Sequence, residues 1–311
     1  KVDEPTITVT FQVNKSPFAG REGKFLTSRQ IRERLDQELK RNVALRVEDT
    51  DDPDRFQVSG RGELHLSILI ETMRREGFEL AVSRPSVIYR NVDGKILEPW
   101  ERLTVDFAAD HQGAVMSALA ERKGMLESMT PDGRGRVRLE YRIPARGLIG
   151  FRTEYLTATA GTGLIYHTFD AWEERVPGEI AQRTNGVLVS MVSGKSLAYA
   201  LFNLQERGSL FIGHGVEIYE GMIVGIHTRS NDLTVNPTKA KQLTNIRAAG
   251  SDENILLTPP IKLTLEQALE FIDDDELVEI TPLNVRLRKA HLKESDRKRH
   301  ARAASAEAES A

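Results

Sequence analysis

One order of elements occurs twice in the first 175 residues, and it restricts the fold more than composition does. Residues 6–14, "TITVTFQVN", alternate as a strand does, with Ile7, Val9, Phe11 and Val13 on one face. Thr27 or Ser28 is placed to cap a helix in which Ile31, Leu35 and Leu39 recur at four-residue steps. "NVALRVED" and "DRFQVSG" read as strands across the turn-rich residues 51–53. "GELHLSILIETMRREG" is a second helix closed by Gly77, and "FELAVSR" is a final strand. The same order then returns. "ERLTVDFAAD" is a strand, "QGAVMSALAERKG" a helix ended by Gly124, and residues 124–144 a hairpin turning at 131–135. "RGLIGFRTEYLTATAG" takes the second helix position and "GLIYHTFDAW" the last strand. "GRGEL" (60–64) and "ARGLI" (145–149) fall at the same strand-to-helix junction. Each half is β-α-β-β-α-β, the split order of ferredoxin-like domains, and little more than "PSVIYRNVDG" joins them.

The pattern changes near Pro177. "GVLVSMVSG" is a strand, "SLAYALFNLQERG" a short helix stopped by Gly208, and residues 209–230 are short glycine-broken strands, as in a small barrel. "TLEQALEFIDDDELVEIT" opens as a helix with a capping-box pattern, Thr264 and Gln267, and runs into a strand; "NVRLRKAHL" is the last strand. The end is almost free of apolar residues and is expected to be disordered. The expected class is α+β: two ferredoxin-like βαββαβ domains at 1–84 and 85–175, a mostly β, small barrel-like domain with short helices at 176–293, and a disordered tail at 294–311. The chain opens on Lys1 and enters a strand pattern at once, which reads as the interior of a longer protein.

Several function classes are excluded. With no cysteine, disulfides, thiolate chemistry and cysteine zinc sites are absent. No apolar run reaches the roughly 18 residues of a membrane helix, so a membrane partner is not expected. The net charge of −3 supplies no global attraction for nucleic acid, and any such binding must come from local patches. Gly194-Lys195-Ser196 resembles the end of a phosphate-binding loop, but Val189 stands where that loop needs a glycine. The seven histidines never fall at i,i+3 or i,i+4 on one helix, so no metal site is expected. His65, in the first turn of a helix, reads as a capping or interface residue. "DDDE" (273–276) lacks the glycine and alternating ligands of a calcium loop and reads as a solvated helix end. No catalytic residues, and hence no enzyme activity, are expected in this chain.

The basic features carry more. "NPTKAKQLTNIRAAG" (236–250) holds Lys239, Lys241 and Arg247 with no acidic residue and has no regular period. A loop of that length inside a patterned region tends to be functional. Its cations suit phosphates, and Gln242, Thr244 and Asn245 suit base edges or ribose hydroxyls. Arg229 and Asn231 lie just upstream in "HTRSND". RNA binding is the reading preferred for this stretch. In "GRGELHL", Gly60 and Gly62 bracket Arg61 at a helix start; a tight turn and close approach of an anion both remain open. "PDGRGRVRLEYR" puts Arg134, Arg136, Arg138 and Arg142 on one hairpin, as an exposed sheet face or as phosphate contacts.

Two longer stretches add a resemblance. "VSGRGELHLSILIETMRREGFELAVSRPSVIYR" resembles the third domain of translational GTPases related to elongation factor G, and "GRGRVRLEYRIPARGLIGFRTEYLTATAGTG" their fifth. In elongation factor G a further domain lies between these two, whereas here Arg84 and Pro85 lead straight on. "NGVLVS", "ALFNLQERG", "RSNDLTVNPTKAKQLTNIRA" and "TLEQALEFIDDDELVEITP" resemble the C-terminal domain of the BipA (TypA) branch.

The resemblance implies a ribosome-associated cytoplasmic protein, linked to large-subunit assembly and to growth in cold and other stress. Its GTP-binding domain, with GTP and magnesium, and its barrel domain would precede Lys1, so no cofactor is expected in these residues. The partners implied are the large subunit, its ribosomal RNA and an A-site tRNA, together with the protein's own N-terminal domains; a monomer is expected. Lys239, Lys241, Gln242, Asn245, Arg247, Arg229 and Asn231 are the principal RNA candidates, with Arg134, Arg136, Arg146 and Arg61 secondary. The alternative is a sensing module that binds a small metabolite in an apolar pocket between the two ferredoxin-like domains.

Overall fold

The computed structural model describes residues 4–180, 183–241 and 255–310. The first module comprises β1 (Ile7–Gln12), α1 (Ser28–Leu39), β2 (Arg46–Asp49), β3 (Arg55–Gly60), α2 (Glu63–Arg75) and β4 (Leu80–Ser83). Thr27 caps α1 in a full capping box with Gln30, and Ile31 and Leu35 face the core. Helix α2 buries Leu66, Leu69, Ile70 and Met73, and Gly77 adopts the left-handed conformation (φ 101°) that ends it. Each such buried aliphatic side chain stabilises the module by about 1.5–3 kcal/mol. The strands are ordered β4-β1-β3-β2, all antiparallel.

The joining stretch is itself paired. β5 (Ser86–Val87) lies on β1, and β6 (Arg90–Val92) lies on the first strand of the second module, β7 (Lys95–Ala108). A single 3-10 turn (Ala109–His111) then leads to α3 (Gln112–Glu121), β8 (Met125–Pro131), β9 (Arg136–Pro144), α4 (Ala145–Leu148), α5 (Phe151–Ala158) and β10 (Leu164–Glu174). The order β10-β7-β9-β8 repeats that of the first module. Two details differ from the sequence reading. Lys123, not Gly124, takes the left-handed position after α3 (φ 62°). The second helix is also broken in two where Gly150 turns left-handed (φ 77°) ahead of α5.

The last part comprises β11 (Val187–Ser190), β12 (Gly194–Lys195), α6 (Ala198–Leu204), β13 (Gly208–Leu210), β14 (Glu217–Ile218), β15 (Ile223–His227), β16 (Leu233–Val235), α7 (Leu265–Phe271), β17 (Glu276–Ile280), β18 (Val285–Lys289) and α8 (Glu294–Ser310). Among the described residues its strands form an open sheet, β13-β15-β11-β16, and a separate ribbon of β12 and β14, so the expected barrel does not close. β17 and β18 leave this sheet and extend the first module's, because β17 pairs with the free edge of β4 from Leu277↔Ser83 to Ile280↔Leu80. Covering an edge strand removes a row of unpaired backbone groups. The first core is shared accordingly: Leu269, Ile272, Val278, Val187 and Ile223 pack with Phe11, Leu35 and Ile70. Phe18 of the first module in turn enters the core of the last, edge-on to Tyr219 at 4.9 Å.

The tail expected to be disordered is helical through Ser310. It needs no core. Alanine, glutamate, lysine and arginine favour helix intrinsically, Lys298–Glu294 (2.7 Å) pairs one turn apart, and the Arg297 guanidinium donates to the carbonyls of His291 and Leu292.

Candidate nucleic-acid interface

The basic stretch leaves the sheet at a fixed point. β16 runs parallel to β11, with Leu188 opposite Leu233 and Ser190 opposite Val235. Asn236 Oδ1 then accepts from both the backbone N–H (2.9 Å) and the hydroxyl (2.7 Å) of Thr238, a side-chain turn that redirects the chain. The Leu197 N–H donates to the carbonyl of Pro237 (2.9 Å). Lys239 and Lys241 follow, both exposed and without an anionic partner among the described residues. On the far side, Gln205 donates to the carbonyl of Leu256 and accepts from the amide of Thr258, and Ile261 N–H donates to Leu210. Both ends of the stretch are thus held by the same module. Gln242, Thr244, Asn245 and Arg247 lie outside the described residues.

The turn before β16 is tight. Gly186 N–H donates to the carbonyl of Arg229 (2.8 Å), and a Cβ at Gly186 would stand 2.2 Å from the carbonyl oxygen of Asn231. The Asn231 side chain is turned back on the carbonyl of Asp232 (3.1 Å), while the guanidinium of Arg229 is exposed and unpaired among the described residues. Among further exposed cations without an ion pair or side-chain bond among the described residues are Lys195, next to Gly194, which abuts the Thr238 methyl, and Arg207, whose carbonyl accepts from Thr228. Nothing local in the sequence marks these two. The Gly194-Lys195-Ser196 segment is strand β12, paired with β14. No phosphate-binding loop forms there.

A buried ion cluster anchors this turn to the first sheet. Lys289, 2% exposed at its side chain, spends its three N–H bonds on Asp232 (2.6 Å), Asp275 (3.0 Å) and Glu276 (2.9 Å). Burial pulls the Lys289 pKa down, but the charge of Glu276 and the bond to Asp232 outweigh it and hold the ammonium above the usual lysine range. Burial likewise pushes the Asp232 carboxyl up, and bonds from Lys289 and the Val187 amide bring it below the usual range. Glu276 is fully buried and also holds Arg183 at 2.6 Å. The "DDDE" segment is therefore solvated only in part: Asp274 and Asp275 are exposed just past α7, whereas Glu276 is buried in the cluster. Its cations come from the paired strand β18, which carries Lys289, and from Arg183, 93 residues from Glu276 in sequence.

The second module's arginines are arranged differently. Arg136 reaches Asp106 at 2.7 Å with Arg138 alongside at 3.6 Å, and Arg142 and Arg102 share Asp170. The face is charge-balanced, as an exposed sheet face is. Arg134, at the hairpin tip, is exposed, with its backbone N–H on Asp132. Arg146 is turned inward rather than toward an external phosphate: it is 9% exposed, bound to the fully buried Glu98 (2.6 Å) and to the carbonyls of Val176 and Gly178. Arg61 is exposed beside a cleft between the modules, its backbone N–H donating to His65 Nδ1 (3.3 Å). His65 thus serves the local turn.

Comparison with known proteins settles the ancestry. Residues 185–294 match the TypA/BipA C-terminal domain, and residues 95–184 match the elongation factor G C-terminus. A protein of Escherichia coli K12 named "Large ribosomal subunit assembly factor BipA" is 65% identical over 302 residues, 97% of this chain and 50% of the relative. The chain belongs to the TypA/BipA family. Relatives of the same name in Haemophilus influenzae (64% identical over 298 residues, 96% of this chain and 48% of theirs) and Buchnera aphidicola (57% over 298, 96% and 49%) agree. The chain spans about half the length of these TypA/BipA relatives. Among the described residues no helix is long and apolar enough to cross a membrane.

Proposed function

We propose that this chain is the ribosome-docking portion of a translational GTPase, in which the last module presents the 236–250 stretch to ribosomal RNA of the large subunit and to the end of an A-site tRNA. The observation that carries this reading is the contrast between two sets of cations. Arg102, Arg136, Arg142 and Arg146 are each committed to carboxylates within the chain. Lys195, Arg207, Arg229, Lys239 and Lys241, exposed and unpaired among the described residues, lie together on the module carrying the basic stretch, while the other two modules also carry exposed unpaired cations such as Lys24, Arg41, Arg61 and Arg134. Unpaired, exposed cations are what a phosphate backbone recruits. The names of the relatives support a role in assembly of the large subunit. GTP and magnesium belong, in this reading, to residues outside the chain, which itself acts by docking in the cytoplasm, as a monomer and without hydrolysis.

Co-sedimentation with purified large subunits over a salt series tests it, comparing wild type with Arg229→Ala/Lys239→Ala/Lys241→Ala. Three lost phosphate contacts on looped RNA flatten the slope of log K against log salt by roughly 2, at about 0.7 per contact. Equal affinity and slope for both proteins would remove the stretch from the interface. A specific observation also bears on the sensing alternative: a partly apolar cavity does lie between the two ferredoxin-like modules.

A further inference from the structure

The cavity, about 220 Å³, opens where the N-terminus of α2 faces α5 and β10. Leu64, Leu148, Ile149, Phe151 and Ile165 supply apolar walls. Its polar groups are few and oddly satisfied. Glu63 Oε2 accepts from the Gly150 N–H (3.3 Å), while Oε1 is sealed from solvent with no partner among the described residues. Burial, reinforced by Glu270, pushes this carboxyl up to about 8. The proton at neutral pH then sits on Oε1, since Oε2 is already an acceptor, and that O–H has nothing to donate to. On the facing strand, His167 Nδ1 lies 2.6 Å from Oε2 of the buried Glu101. Burial lowers the His167 pKa, but the bond and charge of Glu101 outweigh it and keep the imidazole protonated to higher pH than usual. Nδ1 is thereby committed to the Glu101 carboxylate, and His167 Nε2, on a side chain 38% exposed, has no partner among the described residues and is a donor when the ring is protonated. Arg152 lines the same cavity, with only a 4.0 Å approach to Glu266 as an ion pair. Helix α2, 13 residues long, starts there at Gly62 with no side-chain cap on its first amides.

Glu63, His167 and Arg152 thus bring polar groups without a full set of partners to one space, beside Glu101, and much of the remaining wall is apolar. We propose that the cleft between the two ferredoxin-like modules binds a small organic anion, a carboxylate or phosphate carried on an apolar or aromatic body. The anion accepts from His167, Arg152 and the Glu63 hydroxyl, and the body packs on Leu64, Ile149 and Phe151. Ligand cavities for drug-sized molecules run from about 300 to 1,000 Å³, so the occupant is small. The site is separate from the basic stretch and does not depend on RNA.

The test is a titration of the 311-residue chain with phenyl phosphate, benzoate and inorganic phosphate, following the His167 imidazole and Gly150 amide by NMR. Saturable shifts with phenyl phosphate or benzoate, at an apparent Kd on the order of 1 mM or tighter, support the proposal. The stronger of the two organic probes assigns the anion as phosphate or carboxylate. Inorganic phosphate is expected to bind at least about tenfold more weakly, because the apolar walls then contribute nothing. Arg152→Ala, at a partly exposed position, is expected to weaken the organic probe about fivefold or more. Leu64→Trp, at an exposed position, is expected to block it by filling the mouth. Absence of saturable shifts up to about 10 mM would overturn the proposal. Equal binding of inorganic phosphate would also overturn it, reducing the cleft to a bare anion patch.

Discussion

Lys289→Met keeps the side-chain length and removes the charge at the centre of the buried cluster. The ammonium is 2% exposed, and each of its N–H bonds meets a carboxylate, on Asp232, Asp275 and Glu276. Without it the three anions behave differently. Asp275 and Asp232 are 62% and 41% exposed and can turn toward water, which limits their contribution. Glu276 cannot, but it keeps Arg183 through contacts of 2.6 and 3.1 Å. Breaking a buried pair costs about 3–5 kcal/mol, and this relief puts the expected loss near the lower end, about 3 kcal/mol. The loss should be local. Asp232 immediately precedes β16 and Glu276 starts β17, so hydrogen exchange of both strands should quicken by roughly 100-fold while that of the second module is unchanged. Urea unfolding followed by circular dichroism gives the total. Adding Asp232→Asn should recover part of it, with a coupling of about 0.5–3 kcal/mol for groups in contact. A total loss below about 1 kcal/mol with unchanged exchange in β16 would refute the reasoning, because the cluster would then behave as a solvated surface pair.

Arg146→Met leaves the fully buried Glu98 without its cation and should cost about 3–5 kcal/mol in thermal unfolding, while the salt slope of ribosome binding stays that of wild type; a flattened slope would show that Arg146 does reach RNA. The Glu63 carboxyl, near 8 in the folded chain against 4.5 without the fold, gives a signed prediction. The folded state holds the proton more tightly, so this group's contribution is complete below about pH 4.5 and declines by up to about 1.4 kcal/mol per pH unit until the pH passes about 8. Melting temperatures of wild type and Glu63→Gln should therefore diverge between pH 5 and 8, at about the pH values just given, with the glutamine variant flatter; parallel profiles would mean the carboxyl is solvated.

Local chemistry made the two ferredoxin-like halves readable. Alternation at Ile7, Val9 and Phe11, four-residue steps at Ile31 and Leu35, a cap at Thr27 or Ser28 and the capping box at Thr264 each report on a few neighbouring residues, and the structure bears them out with Thr27 as the cap. What depends on remote partners was not readable. β17 has an ordinary strand pattern, and nothing in it names β4 as its neighbour rather than β16. Arg136 and Arg146 look like free cations until Asp106 and Glu98, 30 and 48 residues away, are brought to them. Lys195 and Arg207 became candidates only because no carboxylate reached them. The tail misled for another reason: low apolar content argues against a core, but α8 is a helix that does without one.

The pairing of β17 with β4 also sets a timetable. Ser83 and Leu277, which face each other at the start of that pairing, are separated by 277 − 83 = 194 residues. At about 5–20 residues per second of synthesis, β4 is made roughly 10–40 s before its partner. Through that interval the first module has its own four strands but a bare flank, long enough for a neighbouring nascent chain on the same message to offer the same strand. A chain cut short before Glu276 would keep that flank for life, and its expected fate is association with its own kind rather than simple loss of one module.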